Sequence, residues 1–371
     1  MKELLEIANA LKTLGHKPCA LATVIQVEGS AYRRPGARML ITPEGQSWGM
    51  ISGGCLEHDV LSHARRVLQT GQPLTARYDS TSNDDIVFGT GLGCNGIIDV
   101  FIEPITDHFR SAFIEATGRC QTAREACALA TVVAGGEAFG WSRRHAFAEQ
   151  ERWVGDERLT AVLNGFGSKG KKPAVLAGKA GDDEIRVFVQ PLLAPLQLVV
   201  FGGWLDVVPL IRIAKETGFQ VIVVDSRERD SSLKFFGEAD AVLLCSPREA
   251  LSQIQFDDRT VAVLMNHHFE RDEEALAALT QVAVPFIGML GPGRRKQRLL
   301  ESIKNNGVTV AEAFEQSLHG PVGLDIGAST PEEIAVSIMA EILAALNGRN
   351  AKPIRDRLTP LHITTPSLAY A

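Results

Sequence analysis

The sequence has no apolar run long enough to cross a bilayer, because each candidate is broken by glycine or proline; no membrane role is expected. It has no excess of positive charge either: the formal net charge is −6, which argues against a general nucleic-acid binder. Six cysteines are present (Cys19, Cys55, Cys94, Cys120, Cys127, Cys245), in neither a disulfide framework nor a Cys-x-x-Cys pattern. They read as reduced thiols of a cytoplasmic protein, with Cys19, Cys127 and Cys245 in apolar runs as core fillers. Met-Lys-Glu-Leu-Leu-Glu at the start is an amphipathic helix opening with acidic residues, so no secretory signal is expected. What is there is ordinary for a globular chain. Its 371 residues are 22% charged and 45% hydrophobic, enough for two domains with proper cores.

The most informative stretch is Gly49-Met-Ile-Ser-Gly-Gly-Cys-Leu-Glu57. It brings a thiol, Cys55, to the start of a helix expected over Leu56 to Gln69. Ser52, Gly53 and Gly54 supply backbone N–H groups, the helix N-terminus favours an anion and lowers a thiol pKa, and Glu57 adds a carboxylate two residues on. The plain alternative is a tight strand-to-helix turn around a small buried cysteine. A second such turn, Gly89-Thr-Gly-Leu-Gly-Cys-Asn-Gly96, carrying Gly93 and Cys94, favours a site.

The front half also repeats itself. Cys19-Ala-Leu-Ala-Thr-Val24 recurs as Cys127-Ala-Leu-Ala-Thr-Val132, and Asp99-Val-Phe-Ile-Glu-Pro104 is matched by Arg186-Val-Phe-Val-Gln-Pro191. Two β-rich units of similar build, packed as one composite α+β domain, are the natural inference. The interval from Val24 to Val100 exceeds that from Val132 to Val187, and the excess falls where the glycine-cysteine turns lie. One copy keeps a site and the other serves as scaffold. Residues 164–172 read as a surface loop.

A second domain is expected over 196–348, with a tail over 349–371. Strands at Leu198–Phe201, Val221–Asp225, Ala241–Cys245, Val261–Met265 and Phe286–Met289 alternate with helical periodicity, which means a doubly wound parallel sheet of Rossmann type. Gly202 and Gly203 open its first turn; Asp225 ends the second strand where a ribose hydroxyl is read, and Arg227 instead suits a ribose phosphate. The glycine fingerprint is defective, since Trp204 stands where a glycine lets backbone touch a pyrophosphate. NAD(P) binding is therefore doubtful. Asp206 complements the first helix or faces the cleft; Arg294 and Arg295 meet an anion or are solvated. His267 and His268 face the same sheet edge without further metal ligands in view. Thr330-Pro-Glu-Glu333 is a capping box opening a last helix.

These residues together resemble the xanthine dehydrogenase accessory factors, the XdhC/CoxI family. The match runs through Gly29-Ser-Ala-Tyr-Arg-Arg-Pro-Gly-Ala-Arg-Met39, Ser52-Gly-Gly-Cys-Leu-Glu57, Gly91-Leu-Gly-Cys-Asn-Gly96, Phe201-Gly-Gly203, Val224-Asp-Ser-Arg227, Ile287-Gly-Met-Leu-Gly-Pro292 and the stretch from Gly323 to Ala335. The resemblance implies a chaperone that holds molybdenum cofactor, supports its sulfuration with a cysteine desulfurase, and inserts it into a molybdenum hydroxylase. Such a chain is a maturation factor rather than a catalyst, with a homodimer expected. On that reading the amides of Ser52 to Gly54 meet an anion, Cys55 offers a sulfur to molybdenum, and Cys94 is a second contact or supports its turn. Arg33, Arg34 and Arg38 pair with phosphate or are solvated. Two departures stand out: Gly93-Cys-Asn-Gly96 puts a side chain beside Cys94, and Trp204 interrupts the Gly-x-Gly. The competing readings are an NAD(P)-dependent oxidoreductase with Cys55 as redox centre, and an adaptor without cofactor binding.

Overall fold

A computed structural model describes residues 1–80, 96–135, 144–149, 152–164, 172–226 and 235–356. Gly93, Cys94 and Arg227 lie outside the described residues, as do most of the loop after Asn164 and the tail beyond Asp356. The chain divides into two compact units, one over residues 1–194 and one beginning at Pro195.

The first unit realises the repeat element by element. Its first half runs α1 (Lys2–Leu14), β1 (Ala20–Gly29), β2 (Arg38–Ile41), β3 (Ser47–Gly49), α2 (Glu57–Thr70), β4 (Leu74–Asp79) and β5 (Gly96–Pro104). Its second runs α3 (Asp107–Thr122), β6 (Cys127–Ala134), β7 (His145–Glu149), β8 (Arg152–Gly155), α4 (Glu157–Leu163), β9 (Ala174–Ala180) and β10 (Asp183–Leu192). The antiparallel sheets have matching orders, β3-β2-β1-β5-β4 and β8-β7-β6-β10-β9. Even the register repeats. Val24 lies opposite Val100 as Val132 lies opposite Val187, and Thr23 opposite Arg38 as Thr131 opposite His145.

Alternation along these strands explains the burial. Ala20, Ala22 and Val24 pack with Val60, Ala64 and Val67 of α2, and Ala128, Ala130 and Val132 pack with Leu159 and Leu163 of α4. The intervening positions turn the other way. Cys19, Leu21 and Leu40 share one core with Cys127, Leu129 and Phe147, closed by α1 and α3, while Ile25 and Phe101 meet Val133 and Phe188. The two sheets thus meet through equivalent side chains. With both faces covered, residues 20–25 of β1 and 127–133 of β6 are buried and read as near-continuous apolar runs, each broken only by a threonine.

That shared layer also buries charge. The His145 Nε2 lies 2.9 Å from Glu103 Oε2, and the Arg38 Nε donates to Thr23 Oγ1 at 3.4 Å. Arg38 is only 1% exposed, with its guanidinium 5.7 Å from the Phe113 ring centre. Burial pushes Arg38 down to about 10, opposed by the carboxylates of Glu103 and Glu3. Arg38 is therefore neither a surface residue nor a phosphate ligand, because β2 points it inward opposite Thr23.

The second unit comprises β11 (Gln197–Phe201), α5 (Val207–Glu216), β12 (Gln220–Val224), β13 (Ala241–Leu243), α6 (Pro247–Gln253), β14 (Thr260–Leu264), α7 (Phe269–Leu279), β15 (Ile287–Met289), α8 (Gly293–Asn305), α9 (Glu312–Gln316), β16 (Leu318–His319) and α10 (Pro331–Leu346). Its parallel sheet is ordered β13-β12-β11-β14-β15-β16, the 3-2-1-4-5-6 order of dinucleotide folds. Helices α5 and α10 cover one face and α6, α7 and α8 the other. The capping box at Thr330 is formed as the sequence predicts, and Ile338 and Ile342 of α10 are buried beneath it. None of the described helices is long and apolar enough to cross a membrane.

Candidate functional site

The site grows out of the point where the two repeats part. Gly49 ends β3 with φ 81°, and a Cβ there would meet the Arg38 carbonyl oxygen at 2.2 Å, so glycine is required. Gly155 ends β8 against the His145 carbonyl oxygen in the same way, at 2.8 Å. In the second repeat only Asp156 then intervenes, capping α4 by accepting from the Arg158 N–H. In the first repeat the stretch Met50 to Leu56 is inserted before α2. That insertion carries Cys55.

The inserted turn is organised by its own carboxylate. Glu57 accepts from the Ser52 N–H at 2.8 Å, from the Gly54 N–H at 3.1 Å, and from the Ser52 hydroxyl. The Ser52 Oγ accepts in turn from the Leu56 N–H at 3.1 Å and the Gly54 N–H at 3.2 Å. Burial works to raise the Glu57 carboxyl, but the bonds from Ser52 and Gly54 outweigh it and hold it below the ordinary carboxylate value. Gly54, at φ 114°, takes a backbone state that a side chain would disfavour. The amides of Ser52 and Gly54 therefore face inward onto Glu57. Those of Gly53 and Cys55 are left without a hydrogen-bond partner among the described residues. Cys55 itself is a free, exposed thiol.

Beside it lies a recess lined by Tyr32, Arg33, Ser52, Cys55, Leu56, Tyr78, Ser80, Gly96 and Ile98. Its volume is about 20 Å³, room for one water, so any larger guest would lie at its mouth. Tyr32, which sequence reasoning passed over inside its own motif, is 67% exposed and lays its ring along Gly53. Arg33 is held by an ion pair to Glu3 of α1, whose other oxygen accepts from the Arg38 N–H at 2.9 Å. The Tyr78 hydroxyl donates to Asp59 at 2.7 Å, and burial together with that carboxylate raises the phenol far above its usual value. Ser80 and Gly96 are joined by hydrogen bonds of 2.7 to 3.1 Å. They flank the segment that contains Gly93 and Cys94, and both line the Cys55 recess. Arg34 is partly buried, with burial lowering its pKa.

The carboxyl edge of the second unit's sheet is differently furnished. Gly202, at φ 134°, leaves no room for a Cβ, which would fall 2.4 Å from the Met265 carbonyl oxygen. At Gly203 a Cβ would lie 2.1 Å from the Asp225 carboxylate, and Asp225 is only 2% exposed. Asp225 is thus folded against the glycine turn, while Trp204 is 38% exposed. Asp206 makes no side-chain cap to α5 and instead reaches His267 Nε2 at 2.7 Å across the gap between the β11 and β14 loops. His267 keeps φ 58°, uncommon for a residue with a side chain. Arg295 grips the buried Asp272 at 2.7 Å rather than standing solvated. Among the described residues no group of three or more His, Cys, Asp or Glu is placed to hold a metal ion.

Comparison with known proteins bears on both units. The family model described as "XdhC and CoxI family" matches residues 14–79, which include the Cys55 turn, and that described as "XdhC Rossmann domain" matches residues 198–342. A Bacillus subtilis protein, named as a probable subunit of xanthine dehydrogenase, is 34% identical over 326 residues, covering 87% of this chain and 92% of its own. The "Molybdenum cofactor insertion chaperone PaoD" of Escherichia coli is 23% identical over 330 residues, 88% of this chain and 83% of its own. A crystal structure from Bacillus halodurans, described as a xanthine dehydrogenase, superposes with a TM-score of 0.75 at 29% identity, covering 94% of this chain and 97% of that one. With family models matching in each unit and a relative that aligns across most of both chains, this chain belongs to the XdhC and CoxI family.

Proposed function

We propose that this chain binds molybdenum cofactor, supports its sulfuration together with a cysteine desulfurase, and inserts it into a xanthine dehydrogenase-type molybdenum hydroxylase. Two relatives point this way by name, one after xanthine dehydrogenase and one after cofactor insertion. The single observation that carries the reading is the inserted turn, which offers an exposed thiol beside two amides that have no hydrogen-bond partner among the described residues. The scaffold has no need of such a loop, as the second repeat demonstrates with Asp156 alone.

The group in question brings a phosphate, a dithiolene and an oxidised, sulfur-seeking metal. The residues present suit it. Cys55 Sγ is an exposed soft donor suited to the metal, and the Gly53 and Cys55 amides suit an anion. Arg33, already oriented by Glu3, adds positive charge at the recess. Glu57 holds the turn in shape and leaves Cys55 unencumbered. Clients, desulfurase and a second copy of the chain are the expected partners.

Anaerobic purification with molybdenum and pterin analysis tests this. The expected result is stoichiometric pterin on the native chain and a loss of about tenfold or more in Cys55→Ala, with a parallel loss of hydroxylase maturation. Undiminished binding and maturation in that variant would remove Cys55 from the site. A second reading, nicotinamide-dependent redox chemistry, draws on the strand order of the second unit. Against it stand the burial of Asp225, 2% exposed, and the indole of Trp204 in place of a glycine. Micromolar binding in a nicotinamide fluorescence titration would favour it instead.

A further inference from the structure

Away from the Cys55 turn, two other thiols face each other. Cys120, in the last turn of α3, and Cys127, the first residue of β6, bring their Sγ atoms to 3.4 Å. Both belong to the core cluster shared by the two repeats. A pair of small apolar fillers would account for their burial. It would not account for the opening beside them: Cys127, 8% exposed, lines a groove of about 760 Å³ together with Arg119, Glu125, Arg152 and Trp153. Cys120 is sealed from solvent behind it, its thiol also donating to the Leu192 carbonyl at 3.4 Å.

We propose that Cys120 and Cys127 form a redox-active dithiol, closed to a disulfide by a small peroxide that enters through the groove. The thiols are already in contact, so the bond needs a short inward movement of two side chains and no rearrangement of the sheets. The chemistry balances in two steps. Cys127 sulfur attacks hydrogen peroxide, the O–O bond breaks, one oxygen stays as the sulfenic acid and the other leaves as water. Cys120 sulfur then attacks the Cys127 sulfur, forming S–S and releasing the second water. Two thiols are oxidised and one peroxide is reduced. The hydrogen bond with Cys127 holds the Cys120 thiol below its ordinary value against the opposing effect of burial.

The other described cysteines provide internal contrasts. Cys55 is exposed with no second thiol described beside it, and Cys19 is buried against Arg110, with burial raising its pKa. Their expected fates under peroxide differ accordingly: Cys55 forms acids or mixed disulfides, and Cys19 stays a thiol.

The test uses the full chain, treated with hydrogen peroxide, denatured, alkylated and mapped by peptide mass. The expected outcome is a linked pair of peptides bearing Cys120 and Cys127, two hydrogens lighter than their sum and separated by dithiothreitol. Both residues should lose alkylation in equal proportion, at a rate independent of protein concentration. Cys120→Ser should leave Cys127 without its intramolecular partner and abolish the linked species, as should Cys127→Ser. Recovery of Cys120 and Cys127 as free thiols after Cys55 has been fully oxidised would overturn the proposal, as would their conversion to separate acids. The mapping of the unsubstituted chain decides the matter even if a variant fails to fold.

Discussion

Residues 20–104 and 127–192 build sheets of one strand order with corresponding registers, Val24 against Val100 in the first and Val132 against Val187 in the second. After Gly49, however, the first repeat makes a turn around Ser52 and Glu57, whereas after Gly155 the second passes through Asp156 directly into its helix. The connection between a strand and a helix is where backbone polar groups already reach solvent, so residues can be added there without disturbing the sheet. The inner layer differs too. Glu103 faces Leu21 where Gln190 faces Leu129, and Arg38 stands where the second repeat has His145. One repeat has taken on charge and a thiol-bearing loop. The other supplies the surface against which the first is held.

The sharpest way to break this comparison is at the charged layer. Glu103→Leu strips the carboxylate from beside buried Arg38 and His145 and should cost about 3–5 kcal/mol in urea unfolding. Its counterpart Gln190→Leu removes one hydrogen bond, to the Gly36 carbonyl, and should cost about 1–3 kcal/mol. Equal losses would mean that the asymmetry carries no energy. The symmetric part is sharpened by Val24→Ala and Val132→Ala, both fully buried at equivalent places. Each should cost about 2 kcal/mol, and the two should agree within about 0.5 kcal/mol.

Smaller still is the effect expected in the turn itself. Glu57→Ala releases two amides and a hydroxyl that can partly turn to water, a loss of about 1 kcal/mol confined to the turn. Hydrogen exchange should quicken at Ser52 and Gly54 and remain unchanged in β6 and β10. The same turn should respond to acid. Because folding lowers the Glu57 pKa, its contribution is fully present above the ordinary carboxylate range and fades as pH falls through the folded value. Exchange protection at Gly54 that persists unchanged through that window would remove Glu57 as the organiser.

Much of this was legible in the chain. The repeated Cys-Ala-Leu-Ala-Thr-Val, the capping box at Thr330 and the apolar strands of the second unit are local patterns, and local patterns survive in sequence. The side-chain partnerships were not. Nothing near Arg38 announces burial, since the groups facing it, Thr23 and Phe113, come from β1 and α3. Asp206 resembles a helix cap until β14 delivers His267 to it, and the burial of Asp225 beside Gly203 depends on where the turn after β11 meets the end of β12. The inward direction of the Ser52 and Gly54 amides also depends on where Glu57 folds back.

By itself the sequence determined the two-unit α/β plan, the duplication within the first unit, and the position of an extra glycine-cysteine turn in one copy only, because periodicity and turn chemistry act between near neighbours. Tertiary structure alone decided which charges are buried, which amides of that turn Glu57 takes up, and that Ser80 and Gly96 meet Cys55 at one recess. Those outcomes depend on strands far apart in the chain coming face to face, where burial makes an unpaired polar group costly and so selects its partner.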